Sequence, residues 1–505
     1  MSITSNSRLP RRSSRARRYG AGVARALIVM LGLSGTIASC SPSRLLGDQQ
    51  LPPDVPDPAE AKTPLGAVKS YRGALLELRV AMASDFGFIP VTGLFTDELQ
   101  YGALGLQGST ADGMLIDSRF LPEDPGLGND ITTTYPVTQT YGLLQRTRGQ
   151  SRQARGALAA YAPDSSTALI GHLYAVEGYA DVMLADLFCS GVPLSTVDFD
   201  GDFTYEPGSS TQEVYQHATA LFDSALAMSA DSDRVMNLAR IGKGRALLAT
   251  GDYAGAASAV SSVATGYQYL LSFDLSTTQG PSNSTVPNQN FVFDDFDATG
   301  IYLPLTMVNR EGTNGLPFMS SGDPRSAWID LGTNPYGRPE SIPAKYSADG
   351  TTPIVLASGI EARLIEAEAA LAAGDASWLT RLNALRTDGT FDTQPDTINP
   401  AATDTLWHAG DGGVAGLAPL EDPESADARV DLVFSERAYW LFLTGHRQGD
   451  LRRLVREYTR QQSAVYPVGQ YPGAHNVYGS DVNTPIPGDE RVSNPRYAGC
   501  RGRGA

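Results

Sequence analysis

Leu248-Ala249-Thr250-Gly251-Asp252-Tyr253 joins two alanine-rich amphipathic stretches with almost no connecting chain. Gly251 can take the left-handed conformation that ends a helix, because it has no Cβ to clash there. Asp252 can accept from the first free N–H groups of a following helix. The six residues therefore predict a helical hairpin with a tight turn. The pattern recurs at Leu371-Ala372-Ala373-Gly374-Asp375, and alignment on Gly-Asp matches Ala246 with Ala369 and Ala249 with Ala372. Small side chains at those positions let paired helices approach closely. Working outward, apolar stripes at helical spacing predict helices over 64–84 (Leu65, Val68, Leu75, Leu78, Met82), 138–161, 167–188, 211–229 and 233–249. A last helix is expected from about Asp427 to Tyr458, bent near Gly445.

Gly-Asp between alanine-rich helices resembles the turn of tetratricopeptide repeats, although no strict repeat period runs through the chain. Between the helices lie the stretches 85–136, 190–210, 268–355, 388–426 and 461–505, rich in Gly, Pro, Asn, Asp and Thr. Irregular segments of that length often carry function. The expected fold is mostly α: a tetratricopeptide-like helical-hairpin scaffold with long irregular loop excursions. Because loops and helices alternate along the chain, residues 63–505 are expected to form one intertwined domain.

The first residues read as a targeting segment. Residues 1–25 carry seven arginines and no acid, and the short apolar run Ala26–Leu33 follows. Ile37-Ala38-Ser39-Cys40 then has the form of a bacterial lipobox. A basic region, a short apolar region and small residues before a cysteine predict a lipoprotein signal peptide over 1–39. Cys40 would be lipidated, and 40–62, with its Pro/Asp-rich run, would be a tether. Later segments are too short in apolar character to span a bilayer, so attachment to the membrane is expected through the lipid alone.

The 505-residue chain has a net charge of −16, which would become more negative on loss of the basic leader. Such a body repels phosphate backbones, and nucleic acid is not an expected partner. Besides Cys40, two cysteines remain, Cys189 and Cys500. In an exported protein they can form a disulfide, which is the expectation here, or stand as two free thiols.

Motifs of catalysis are not found: there is no G-x-S-x-G, H-E-x-x-H, C-x-x-C or phosphate-binding loop. The histidines at 172, 217, 408, 446 and 475 show no metal-ligand spacing. Val197-Asp198-Phe199-Asp200-Gly201-Asp202 is acidic, but Phe203 and Ser209 stand where a calcium loop needs glycine and glutamate, so it reads as a solvated loop. Neither a cofactor nor a metal is expected.

The segment Ser435-Glu436-Arg437-Ala438-Tyr439-Trp440-Leu441-Phe442-Leu443-Thr444-Gly445-His446-Arg447-Gln448-Gly449-Asp450-Leu451-Arg452-Arg453 resembles the signature of SusD/RagB proteins. In physical terms, Tyr439, Trp440, Phe442 and Leu443 can pack into the scaffold, and Glu436, Arg447, Asp450 and Arg452 can form an ion-pair network that fixes the bend. Phe188-Cys189-Ser190-Gly191-Val192-Pro193-Leu194, the helix from Thr211, Arg363–Ala373, Asp323-Pro324-Arg325 and the closing Pro485-Ile486-Pro487 and Asn494-Pro495 agree with the same family in order. Cys189 departs from it, standing where many members have glycine.

This resemblance implies an outer-membrane lipoprotein facing the cell surface. It would bind oligosaccharides or peptides and pass them to a SusC-like TonB-dependent channel, without converting them. Sugar rings stack their C–H faces on aromatics and need amide and carboxylate partners. The loops offer Phe95, Tyr101, Tyr302, Trp328, Tyr336 and Trp407, with Asn309, Asn314 and Asn334. Trp328 is the lead contact because it follows Asp323-Pro324-Arg325 in the largest excursion, with Tyr302 and Tyr336 as companions. The competing readings are a helical-repeat lipoprotein that scaffolds envelope assembly and a surface glycan hydrolase.

Overall fold

The computed structural model describes residues 62–84, 86–102, 111–121, 135–199, 201–273, 277–279, 285–287, 305–307, 313–333, 339–346, 352–387, 416–472 and 477–505. The leader and Cys40 lie outside the described residues. The helices are α1 (Pro64–Ala83), α2 (Phe88–Phe95), α3 (Ala111–Asp117), α4 (Tyr135–Tyr161), α5 (Thr167–Leu187), α6 (Thr211–Met228), α7 (Asp233–Ala249), α8 (Tyr253–Val260), α9 (Gly359–Ala372), α10 (Ser377–Thr387), α11 (Ala426–Trp440), α12 (Arg447–Arg456), α13 (Gln462–Val465) and α14 (Gly488–Ser493). Short strands lie between them: β1 (Gln100–Tyr101), β2 (Val192–Pro193), β3 (Thr196–Val197), β4 (Phe203–Thr204), β5 (Gly208–Ser209) and β6 (Gln268–Leu271). The later strands are β7 (Thr277–Gln279), β8 (Thr285–Pro287), β9 (Leu305–Thr306), β10 (Trp328–Thr333), β11 (Pro339–Pro343) and β12 (Ile354–Ser358). All pair two by two and antiparallel: β1 with β9, β2 with β5, β3 with β4, β7 with β8, β10 with β11, and β12 with β6.

Helices adjacent in sequence pack as hairpins: α5 on α6, α6 on α7, α7 on α8, and α9 on α10, with α1 against α4. Local chemistry sets their ends. Ser210 and Glu213 form a reciprocal capping box at the start of α6, and Ser358 accepts from the Glu361 N–H at the start of α9. At the two Gly-Asp turns, Gly251 and Gly374 have φ of 78° and 70°, and the Asp252 side chain accepts from the Gly255 N–H at 2.8 Å. α5, α6 and α7 converge on Phe222, which is fully buried. A Cβ on Gly242 would lie 2.3 Å from the Phe222 ring and one on Gly178 2.9 Å from it. Glycine at both positions is what lets three helices share one aromatic side chain.

The sequence reading needs three corrections. The stretch 85–136 holds α2 and α3. Phe-Ile-Pro-Val-Thr-Gly-Leu-Phe of α2 is buried on every side, so it has no polar face and no period to read. The stretch 268–355 carries several β pairs of a few residues each, too short to show alternation. Finally, the helix expected over 427–458 is two helices, α11 and α12, joined by a turn. Leu443 and Gly445 have φ of 51° and 80°, a left-handed geometry that no right-handed helix can include.

Tyr439, Trp440, Phe442 and Leu443 are buried, as the packing argument requires. Glu436, Arg447, Asp450 and Arg452 do not pair with one another as expected. Asp450 instead receives Arg437 through both carboxylate oxygens at 2.9 Å and Arg453 at 2.7 Å. Arg447 reaches Asp97, at the end of α2, at 2.7 and 2.8 Å. Glu436 binds Arg325 and Arg386. Arg452 donates to the carbonyls of Ala185, Asp186 and Phe188 at 2.5, 3.1 and 3.1 Å, placing a buried cation on the negative end of α5. Side chains of one helix face radiate outward, so each seeks a partner on a different neighbouring element. The signature thus ties α2, α5, α10 and the excursion that carries Arg325 to one point.

Cys189 and Cys500 are joined, with Cα atoms 5.9 Å apart across 311 residues of chain. Around the bridge, the Ser190 N–H donates to Gly502 and the Arg501 N–H to Ser190, so the C-terminal tail lies on the segment that follows α5. Among the described residues, no helix is long and apolar enough to cross a membrane.

Candidate ligand-binding site

The excursion that follows β9 contains a hairpin, β10–β11, seated on the α11–α12 signature at both of its ends. The first anchor is Arg325, within the single turn Pro324–Ser326 that Asp323 caps. Its guanidinium is buried. It donates to Asp323 at 2.9 and 2.6 Å and to Glu436 at 2.7 and 3.2 Å. The same cation lies 5.2 Å from the Tyr439 ring centre and 4.8 Å from that of Trp440. Burial opposes ionisation of Asp323, but its bonds to Arg325 prevail and hold the carboxyl below its ordinary value.

The second anchor follows β11. The Lys345 Nζ donates to the Phe442 carbonyl and the Tyr346 hydroxyl to the Leu443 carbonyl, both at 2.6 Å. The Leu443 N–H donates to Glu98 Oε1 at 2.7 Å. All three polar side chains are buried. Burial pushes the Lys345 amine down to about 7 against the opposing pull of Glu98. Burial also pushes the Glu98 carboxyl up to about 8, opposed by its bond from Leu443. At the base, the Met307 N–H donates to Ser341, and the Ser341 N–H donates to the Thr306 hydroxyl.

Between these anchors stands Trp328, 40% exposed, followed by Ile329, 41% exposed. Neighbours on a strand point to opposite faces, so β10 meets solvent on both sides here. The Trp328 indole N–H donates to the Met319 carbonyl at 3.3 Å. That bond fixes the edge of the ring while much of its surface stays open. A two-stranded ribbon is marginal alone; here the buried Arg325 guanidinium and the buried Lys345 amine hold it. An apolar ring on an immobilised arm can stack on a planar or C–H-rich ligand at small entropic cost.

Other residues singled out in the sequence fall differently. Phe95 and Tyr101 are fully buried, so they belong to the core and offer no ligand surface: Phe95 sits on the apolar helix α2, and Tyr101 in β1. Asn314 donates to the Ser463 and Tyr466 carbonyls, which uses its amide to fasten the excursion to α13. Tyr302, Tyr336, Trp407, Asn309 and Asn334 lie outside the described residues. Sequence reasoning missed Ile329, Arg325 as an anchor, and the exposed rings of Phe120 and Phe203. The spacing Asp-Pro-Arg-Ser-Ala-Trp-Ile was the available signal for the first two; nothing marked the others. In the acidic 198–202 stretch, which separates β3 from β4, the Asp198 side chain accepts from the Asp202 N–H at 2.9 Å, and Asp200 lies outside the described residues. Among the described residues no group of His, Cys, Asp and Glu is placed to hold a metal.

No protein-family model matches the chain, and no curated protein does. Solved structures do match it over nearly their whole length. A SusD superfamily protein from Bacteroides thetaiotaomicron has a TM-score of 0.56 at 13% identity, covering 87% of this chain and 98% of its own. This is the SusD fold. A laminarin-binding SusD-like protein gives 0.56 at 13%, with 87% and 99% covered. A SusD-like carbohydrate-binding protein from Bacteroides vulgatus gives 0.54 at 14%, with 86% and 97% covered. At these identities the likeness is one of fold. Within the SusD fold of this chain, the helical hairpins form the frame and the 305–346 excursion carries the exposed tryptophan.

Proposed function

We propose that this chain is a SusD/RagB family lipoprotein that captures nutrient glycans and hands them to a TonB-dependent outer-membrane channel. The observation that carries the reading is Trp328: a large, partly open indole on a hairpin fixed at both ends by buried charged groups. Rings held in this way suit the C–H faces of sugars. The SusD fold supports the same reading, and two of its matched structures are described as carbohydrate-binding and laminarin-binding. Lipid on Cys40 would tether the body, and Trp328 would be joined at the ligand by Tyr302 and Tyr336. The protein acts by binding, without turnover.

The test is calorimetry on the purified chain with laminarin and a panel of other glycans and peptides, with product analysis of each mixture. The expected result is saturable binding of a glycan that is recovered intact. Binding of peptides alone would replace the ligand class, and steady release of shortened glycan would replace the receptor reading with a hydrolase.

A further inference from the structure

The turn between α11 and α12 does more than join two helices: its carbonyls at Phe442 and Leu443 are the seat of the hairpin's second anchor. The hydrogen bonds of one side chain inside this turn, His446, do not all close with a neutral ring. The Thr444 hydroxyl lies 2.6 Å from the Leu441 carbonyl and 2.7 Å from His446 Nδ1. It has one hydrogen to give. If that hydrogen goes to Leu441, His446 Nδ1 must itself carry a proton and donate to the hydroxyl oxygen. The other ring nitrogen, Nε2, is buried without a hydrogen-bond partner and faces Glu361 Oε2 at 3.2 Å, an ion-pair distance. Glu361 is an ionised carboxylate held by Arg245 at 2.7 and 2.8 Å. A bare lone pair on Nε2 would face it repulsively. The arrangement therefore calls for protons on both ring nitrogens.

Neutral His446 has two alternatives, and each gives something up. With the proton on Nδ1, two acceptors oppose each other at Glu361. With it on Nε2, the Thr444 hydroxyl must turn to Nδ1, and the Leu441 carbonyl keeps only the Thr444 N–H at 3.2 Å. We propose that His446 is a proton-dependent positioning residue: its imidazolium alone satisfies Leu441, Thr444 and Glu361 together, so loss of one proton gives up either the Glu361 contact or the Thr444–Leu441 bond that closes the turn seating the Trp328 hairpin.

The surroundings permit the exchange. His446 is shared by two adjoining cavities of about 20 Å³ each, room for about one water apiece. The first is faced by Asp186 of α5, Arg245 of α7, Glu361 of α9, Arg437 of α11, and Asp450 and Arg453 of α12. The second is faced by Lys345 and again Glu361. Burial, and then Arg245, hold His446 below the ordinary histidine value against the opposing pull of Glu361 and Asp450, so the second proton is taken up on acidification. The opposing charges leave the hydroxyl contact as the element that a conservative variant can change.

The consequence for a ligand rests on the receptor reading, but the test reads His446 itself. Histidine C2-hydrogen exchange, followed by mass spectrometry across about pH 5 to 8, gives its titration in the native full chain, because the other histidines lie at 172, 217, 408 and 475 in separate peptides. Thr444→Val removes the acceptor for the Nδ1 proton at nearly constant volume, whereas Thr444→Ser keeps it. A bond to a charged donor sets the expected size: the Thr444→Val midpoint falls by about one pH unit or more, and the Thr444→Ser midpoint stays with wild type. A Thr444→Val midpoint equal to wild type overturns the proposal. So does a wild-type His446 whose exchange shows no titration, a result that needs no variant. Loss of glycan binding in either variant leaves this reading intact, and a normal titration with no glycan bound by any form would instead count against the receptor reading.

Discussion

Replacing Glu361 with glutamine tests whether the buried charges of the scaffold stabilise it as described. Glu361 is 1% exposed and receives both nitrogens of the Arg245 fork. Burial alone would raise its carboxyl, but Arg245 and then His446 outweigh that and bring it from 4.5 to about 2. At 1.36 kcal/mol per tenfold change in acid constant, the difference corresponds to about 3 kcal/mol of folding stability. The sign follows from proton uptake. With its folded value depressed, Glu361 contributes fully above about 4.5, and the contribution is lost as pH falls toward about 2. Glu361→Gln should therefore lower stability by about 3 kcal/mol at neutral pH, because Arg245 stays buried without its counter-charge. The assay is urea denaturation of both proteins from neutral pH down to the lowest pH at which they fold. The gap between them should narrow steadily below about pH 4.5. A gap under about 1 kcal/mol at neutral pH, or one unchanged by acid, would refute the reasoning.

Further outcomes follow from other parts of the chain. Cys40→Ala should leave the protein unprocessed or released from membranes on fractionation, since acyl chains would be its anchor; a variant that matures and stays membrane-bound removes the lipoprotein reading. Cys189 and Cys500 should be recovered as one linked peptide in unreduced digests. Reducing that bond should cost about 2–5 kcal/mol, and alkylation of both thiols in the native protein would contradict it. Gly242→Ala places a Cβ 2.3 Å from the Phe222 ring, so a loss of about 1–3 kcal/mol is expected in a thermal or urea melt; no change would mean that α6 and α7 can separate freely.

Long amphipathic helices were legible because their period is long enough to see. α4, α5, α6 and α7 fall within a few residues of the ends read from the sequence. The Gly-Asp turns were legible because a left-handed cap restricts residue choice. α2 was not, because a helix buried on all sides shows no period. The break between α11 and α12 was half legible: Gly445 announces a bend, but Leu443 at φ 51° carries no mark of it. That strain is held by Glu98 and Tyr346 from distant segments. Pairings such as Arg447 with Asp97, 350 positions apart, depend on tertiary approach that no local pattern encodes. At the candidate site, Trp328 could be singled out by its place after Asp-Pro-Arg. Its exposure could not be read, because Phe95 and Tyr101 looked the same in sequence and turned out to be core.

The most direct measurement of the central claim is calorimetry of wild type and Trp328→Ala with the glycan that binds best, beside a thermal melt of each. Stacking alone supplies about 0.5–1.5 kcal/mol beyond burial, a two- to tenfold effect, and covering the open indole adds to it. The account predicts binding weakened at least several-fold in a variant that melts like wild type, since Trp328 is 40% exposed and its indole N–H donates only to Met319. Equal affinity in the two proteins would contradict it.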